Sequence, residues 1–532
     1  MVKKIRFYLI LFITLFGRSR KKIFYSSIVI LISLFLLKVI LPFIIPQILA
    51  AYKEMQKPSF VEGVVGKPTY PNPIFDTTET QKDISNLVFR GLTKVNNKGE
   101  LIPDLAESYK AVSDTEYVFK LKKDIYWSDG IKFTSDDVIF TVKTAQDPQW
   151  DSPLSASFKD IVIERLNDYE VKFKLKEPFA PFPYATTAGI IPKHIALGKY
   201  KPVGTGPFTV KNINKDRIVL TNDDLNIVFN FYPSLDQVKL ALKVGEINSI
   251  GGLSPQEKEE MSKFGNINFY QKALPFREAI VFFNTKSEYL SERRVRQALS
   301  FAINKEDLKN IAAGKTAITA KNNLPLFSWV NNSKERYPFS YEESAKQLKL
   351  AGFVQKDGFW LKKEKTLSLK IVSVDDPELN SISNYLKESW SKLGIKVETS
   401  TTSPDRLKND ILANRNFEVL VNFQDLSPDP DQYGLWHTTQ ILKSNITGIS
   451  SPKLDKILED TRKLADQKER AAKYSLFTIL LSDEAPAIFL YYPTYNWAVS
   501  RKIIGINLDN FAFTHDRFNS YQNWKIDKKL FH

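Results

Sequence analysis

The sequence predicts a mixed α/β protein of more than one domain, carried behind a basic and apolar N-terminal segment. Three observations lead there. Strands of period two and helices of period 3.6 follow one another along most of the chain. Leu367–Ile371, Glu378–Leu393 and Ile395–Val397 read strand, helix, strand, the order of an α/β lobe. A chain of 532 residues also exceeds what one hydrophobic core organises, so two to four domains or lobes are expected.

The N-terminus is unlike the rest. Lys3, Lys4 and Arg6 precede an apolar run, Phe7–Phe16, that is too short to span a bilayer. Arg18, Arg20, Lys21 and Lys22 come next, and then Ile23–Ala50 is almost wholly apolar. About 20 such residues suffice for a spanning helix, so a transmembrane helix is expected within residues 23–50. The basic cluster before it places the N-terminus on the cytoplasmic side and the body outside. A cleaved signal peptide is the competing reading; the length of the run and the lack of a small-x-small site favour a retained anchor. Of the net charge of +15, +8 lies in residues 1–54, which leaves +7 over the body. With no arginine-rich block, that balance argues against a nucleic-acid partner. The chain has no Cys, which excludes disulfides, thiolate metal sites and cysteine nucleophiles.

The elements of the body follow in order. Glu62–Thr69 approaches a phosphate loop but has Val61 and Pro68 at two required positions, so no nucleotide site is read there. A helix is expected over about 80–92 and a turn at Asn96–Gly99. Tyr117, Phe119 and Leu121 alternate with Val118, Lys120 and Lys122 as a half-buried strand. Trp127–Gly130 is a turn, and Thr134 with Asp137 sets a capping box ahead of a helix that Pro148 stops. Tyr169, Val171, Phe173 and Leu175 form the second arm of a hairpin. Val203–Phe208 is a glycine-rich corner, and Ser234–Val244 a helix closed by Gly245. Glu278–Thr285 reads as a buried strand. Ser291 is expected to cap a helix whose stripe is Val295, Ala298, Leu299, Ala302 and Ile303. Helices over Tyr341–Ala351 and within Leu454–Leu481, and an apolar strand at Ala487–Tyr492, complete the body.

Catalytic chemistry is not evident. The four His are scattered, with no HExxH or GxSxG pattern; His194 reads as structural. The acid pair Asp136/Asp137 sits at a helix start, where the dipole favours it. One loop stands out: Asp425–Thr439 packs Asp425, Asp429, Asp431, Tyr433, Trp436 and His437 after a strand. It reads equally as a binding loop or as a proline-fixed turn with Trp436 as a packing plug.

Taken in order, EGVVGKPTYPNPIF, FRGLTKVNNKGELIPDLAESY, the WSDG turn with TSDDVIFTV, SPLSASFKDIVIE, IIPKHI, VGTGPF, ALKVGEIN, FFNTKSEYLSERRVRQALSFAINKEDL, AKQLKLAGF, LGIKVE, DPDQYGLWHTTQ and DEAPAIFLYYPTYNWAV resemble the extracytoplasmic solute-binding proteins of the dipeptide/oligopeptide ABC importers, family 5. The resemblance runs from about Val61 to Ile504. It implies a two-lobe, type II periplasmic-binding-protein fold with an extra inserted domain. Lobe I would comprise 59–76, 203–276 and 500–532, the extra domain 77–202, and lobe II 277–499, with the hinge at Arg277 and Val499.

The resemblance further implies a monomeric, non-enzymatic importer subunit with no cofactor and no metal. It would close on a peptide and present it to permease subunits in the membrane. An acid near the DPD loop would take the peptide amino group: Asp425 first, Asp429 second, although Leu426 stands where simple spacing puts it. Tyr433, Trp436, His437 and Asn284 complete the expected ligand set. The same fold serving another ligand (a metal chelate, haem or a sugar), a surface sensor or chaperone, and an exported hydrolase are the competing readings. The chain has no lipobox Cys, so the anchor would be the helix itself.

Overall fold

The structure is a computed structural model that describes residues 2–40, 44–49, 53, 56–195, 202–330 and 334–526. It separates into two units, Met1–Ser59 and Phe60–His532.

In the first unit an α-helix runs from Val2 to Phe35 and continues as a π-helical turn, Leu36–Ile40. Residues 44–49 are helical again. Among the described residues no helix is long and apolar enough to cross a membrane. The expectation of a single span over 23–50 is therefore not met there, and residues 41–43 and 50 lie outside the described set. The helix carries the 18–22 basic cluster in its middle. Its apolar portion beyond that cluster, Ile23–Phe35, rises about 20 Å, less than the ~30 Å hydrocarbon layer.

The second unit is built on two large sheets. The seven-stranded sheet has the order 267–273, 494–500, 249–253, 59–65, 226–232, 217–221, 209–213. The six-stranded sheet has the order 318–319, 487–492, 277–283, 419–425, 368–374, 396–402. Its parallel pairs join 368–374 to both 396–402 and 419–425, and its antiparallel pairs flank 277–283. The strand–helix–strand reading of 367–397 is matched: helix Pro377–Lys392 links the parallel strands, capped by Asp376 and ended before Gly394 at φ +95°. The helix expected to start at Ser291 begins at Arg293. Glu292 is its N-cap, accepting from Arg294 N at 3.2 Å, while Ser291 Oγ donates to Glu288 O.

Strand alternation buries both faces of the six-stranded sheet. Ala279, Val281 and Phe283 enter a core with Leu299, Leu386 and Trp390, whereas Ile280 and Phe282 enter another with Trp436, Tyr474 and Phe477.

Residues 106–174 form a smaller antiparallel sheet of order 106–113, 116–121, 170–174, 162–167. The expected strand, WSDG turn and helix are all present. Asp137 ties them together, accepting from Thr134 N at 2.9 Å, Trp127 Nε1 at 3.3 Å and Lys193 N at 2.9 Å. His194 is structural too, its Nε2 lying 2.8 Å from Asp129 Oδ2. This small sheet has no core of its own. Phe119, Phe173 and Phe182 belong to the cluster that holds Phe60, Phe229 and Trp497 of the seven-stranded sheet and Phe518 of the C-terminal turn 514–518.

The chain passes between the two large sheets at Leu274–Phe276 and again at Pro493. Leu274 N donates to Pro493 O at 2.8 Å, so the two passages touch. Arg277 stands at the first passage. Val499 does not stand at the second: it lies inside strand Thr494–Ser500, paired with Asn268 and Ser249 in the seven-stranded sheet. The break is at Pro493, which has no N–H with which to continue a ladder.

Candidate functional site

A cleft of about 520 Å³ opens where the two large sheets face each other beside these passages. One wall comes from strands 59–65, 249–253 and 494–500 and helix 79–88, the other from Arg277, Phe423 and the first turn of helix Pro377–Lys392. Across it, Gln256 Nε2 donates to Ser381 Oγ at 3.0 Å. Gly251 is required by its neighbour Tyr495: a Cβ there would stand 2.1 Å from the Tyr495 hydroxyl.

The floor of the first wall is a buried ionic triad. Arg517 bonds Glu62 Oε1 at 2.5 Å and Asp83 Oδ2 at 2.6 Å. Trp497 Nε1 and Ser249 Oγ also donate to Glu62, and Thr514 Oγ1 donates to Asp83. All three charged residues are buried. Burial raises the Asp83 carboxyl, with Arg517 opposing. Burial alone would lower the Arg517 guanidinium, and its two carboxylates more than reverse that, so it stays charged.

On the second wall Glu378 is only 6 % exposed. Tyr491 Oη donates to its Oε1 at 2.9 Å. Burial lifts the carboxyl to about 8, with Tyr491 pulling down and Asp376 pushing up. Thr494, 7 % exposed, lines the cleft with its Oγ1 unpartnered among the described residues.

The residues expected from the sequence scatter relative to this cleft. Asp425 ends its strand in register with Arg277 and holds it bidentately, at 2.7 and 3.2 Å. It lines a recess of about 220 Å³ that shares Glu79, Leu274, Arg277 and Thr514 with the cleft. Asp429 is buried and holds Arg470 bidentately at 2.9 and 2.8 Å, so it is not offered to a ligand. Trp436 is buried against Phe282 and Phe489, and its Nε1 donates to Gln432 Oε1 at 2.8 Å.

Tyr433 stacks on His437 at 4.0 Å, and His437 Nε2 lies 3.2 Å from Glu459. Asp431 accepts from Arg462 at 2.9 Å; that guanidinium lies 4.2 Å from the Tyr433 ring and 4.7 Å from Phe179. Ala180 N donates to Arg462 O at 2.7 Å. The 429–439 segment thus fixes the six-stranded half against the 106–185 region. Asn284 lies past the far end of strand 277–283, donating to the carbonyls of Arg415 and Phe417. The cleft residues that went unread, Glu62, Asp83, Glu378, Thr494 and Arg517, left one sequence signal: Glu62 is an acid inside the otherwise apolar run SFVEGVV.

Next to Arg277, Glu278 is fully buried, and among the described residues neither of its carboxyl oxygens is hydrogen-bonded. Burial raises it well above the ordinary carboxylate value, with Lys305 opposing.

A family model described as bacterial extracellular solute-binding proteins, family 5, middle, matches residues 100–441. The oligopeptide-binding protein AppA of Bacillus subtilis is 26% identical over 492 residues, covering 86% of this chain and 90% of that protein. Its structure with a nonapeptide superposes with a TM-score of 0.70 at 25% identity, covering 88% and 99% of the two chains. The substrate-binding protein CtaP of Listeria monocytogenes gives a TM-score of 0.78 at 24% identity, with the same coverage. NikZ of Campylobacter jejuni, solved with Ni(L-His), gives 0.73 at 24% identity, again covering 88% and 99%.

Proposed function

The chain belongs to the bacterial extracellular solute-binding proteins of family 5, and on that premise we propose that it binds peptides in the cleft between its two large sheets and delivers them to an ABC importer. The observation that carries the reading is the cleft itself: about 520 Å³, walled by two sheets that the chain joins only beside it. A ligand touching both walls favours the closed arrangement by its differential affinity for it. The passages at Leu274–Phe276 and Pro493 are the hinge, and Gln256–Ser381 is a contact that opening breaks. The peptide backbone is held as in an added strand, with pockets for side chains. No bond is made or broken.

The apolar N-terminal segment, residues 23–50, retains the protein at the membrane with the body outside. Support comes from the basic cluster before it and from Phe24, Ile30, Leu31 and Leu37, whose side chains are more than half exposed. N-terminal sequencing of mature protein and alkaline extraction of membranes test this; a start near residue 50 in a soluble fraction overturns it.

Titration calorimetry with defined peptides, from dipeptides to nonapeptides, tests the function, together with the radius of gyration in solution. Saturable heat and a smaller radius on binding are expected. Absence of heat and of any thermal shift across all lengths overturns the peptide reading.

A further inference from the structure

We propose that the ligand carries a cationic group, an amine or a guanidinium, and that Glu378 is the counter-charge that receives it. This rests on the cleft being the ligand site, as proposed above. Both arginines that line the cleft are already engaged: Arg517 by Glu62 and Asp83, Arg277 by Asp425 with Glu79 at 3.7 Å. A ligand carboxylate would have to displace one of these pairs. Asp425, the acid that the family resemblance suggests for an amine, is itself taken by Arg277.

Three lining acids have no cation against them among the described residues, and two of these are helix caps: Glu257 accepts from Ser254 N, and Asp376 from Glu378 N and Leu379 N, which leaves Glu378. It lines the cleft more than nine-tenths buried, its one hydrogen-bond partner among the described residues is the Tyr491 hydroxyl, and no cation there lies within ion-pair distance. The unpartnered Thr494 hydroxyl lines the same cleft, three residues beyond Tyr491 in the chain. A buried hydroxyl without a partner is destabilising, and a ligand N–H group would satisfy it.

The charged surroundings agree. Asp376 stands on the same helix turn, and Tyr491 comes from strand 487–492. Glu62, Glu79, Asp83, Glu257, Arg277 and Arg517 are the other charged groups that line the cleft. With each arginine matched by two acids, the wall has an excess of acid. Burial keeps the Glu378 proton on up to about pH 8, so the empty cleft holds a neutral acid. A cation arriving at neutral pH stabilises the carboxylate, and the O–H proton leaves to solvent: Glu378–COOH plus R–NH₃⁺ gives the ion pair plus H⁺.

The test is calorimetry of the full-length chain in detergent at pH 7, in two buffers of different ionisation enthalpy. The probes are a free-amino tetra-alanine, an N-acetylated tetrapeptide with one lysine, its norleucine counterpart, and cadaverine, which is no peptide. The lysine peptide is expected to bind about tenfold or more tighter than the norleucine peptide, with release of close to one proton. Glu378→Gln, shown to be folded by its cooperative melt, loses both the preference and the proton release. Thr494→Val weakens the lysine peptide less. A preference seen with tetra-alanine instead assigns the cation to the amino terminus, and one seen with acetylated lysine assigns it to a side chain. Peptides that bind with no cation preference and no proton release overturn the inference and leave the proposed function standing. Cadaverine stabilising wild type but not Glu378→Gln, with no peptide bound, does the reverse. An unaltered lysine preference in Glu378→Gln, or no response to any cation, overturns the inference.

Discussion

Two clusters of charge flank strand 419–425, and they differ in what they leave open. In the 429–439 segment each acid of the DPD motif has its guanidinium: Asp429 takes Arg470 and Asp431 takes Arg462. His437 lies against Glu459, and Tyr433 and Trp436 fill the space between. In the cleft, two arginines are also matched, yet among the described residues Glu378 has only a tyrosine hydroxyl and Thr494 no partner, and about 520 Å³ is open. Dense polar chemistry along a sequence therefore marks a tightly built joint here. The candidate ligand site is where pairing stops short around open volume.

The comparison breaks most easily at the joint. Arg470→Met leaves Asp429 buried and unpaired, and about 3–5 kcal/mol of stability should be lost. Trp436→Ala should cost a similar ~3–5 kcal/mol through the cavity it leaves. Denaturant titration measures both. Ligand affinity of the folded fraction should change by less than about threefold; a loss of affinity without a loss of stability would make the joint a ligand site after all.

The triad beneath the cleft is the matching test on the other side. Arg517→Met strands two buried carboxylates and should also cost about 3–5 kcal/mol. Here, unlike at the joint, the affinity of the folded fraction should fall as well.

Glu378 gives a smaller, pH-dependent effect. The folded protein keeps this proton up to about 8, whereas the unfolded chain releases it near 4.5. Stability is therefore fullest below 4.5 and falls as pH rises through that window, by at most about 1.4 kcal/mol per pH unit. Glu278 works in the same direction, so the decisive quantity is a difference. Glu378→Gln should gain on wild type between pH 5 and 8 in chemical denaturation, and parallel curves would count against a buried neutral acid.

Asp425→Ala is the mildest. Its side chain is 62% exposed, and such pairs contribute about 0–1 kcal/mol. Unchanged stability with a tenfold loss of peptide affinity would move the ligand anchor back to Asp425.

Local physics made much of the fold legible. The period-two run at 117–121, the capping acid Asp137 and the glycine stop at 394 were all readable because each depends on residues within a few positions. The cleft is different in kind. Glu62, Asp83, Glu378, Thr494 and Arg517 span 455 positions and meet only when two sheets assemble. In the run AIFLYYPTYNWAV the residues alone indicate a strand at Ala487–Tyr492, and the resemblance puts the crossing at Val499. The run is two strands in two sheets, and the one residue that says so is Pro493.

The bond from Leu274 N to Pro493 O has a kinematic consequence for the proposed closure. Two linkers stitched together in this way behave as one axle: bending about the line through them strains little, whereas sliding one sheet along the other would tear the stitch. Length changes in one linker would then be tolerated only with a matching change in the other, although the 216 residues 277–492 separate them along the chain.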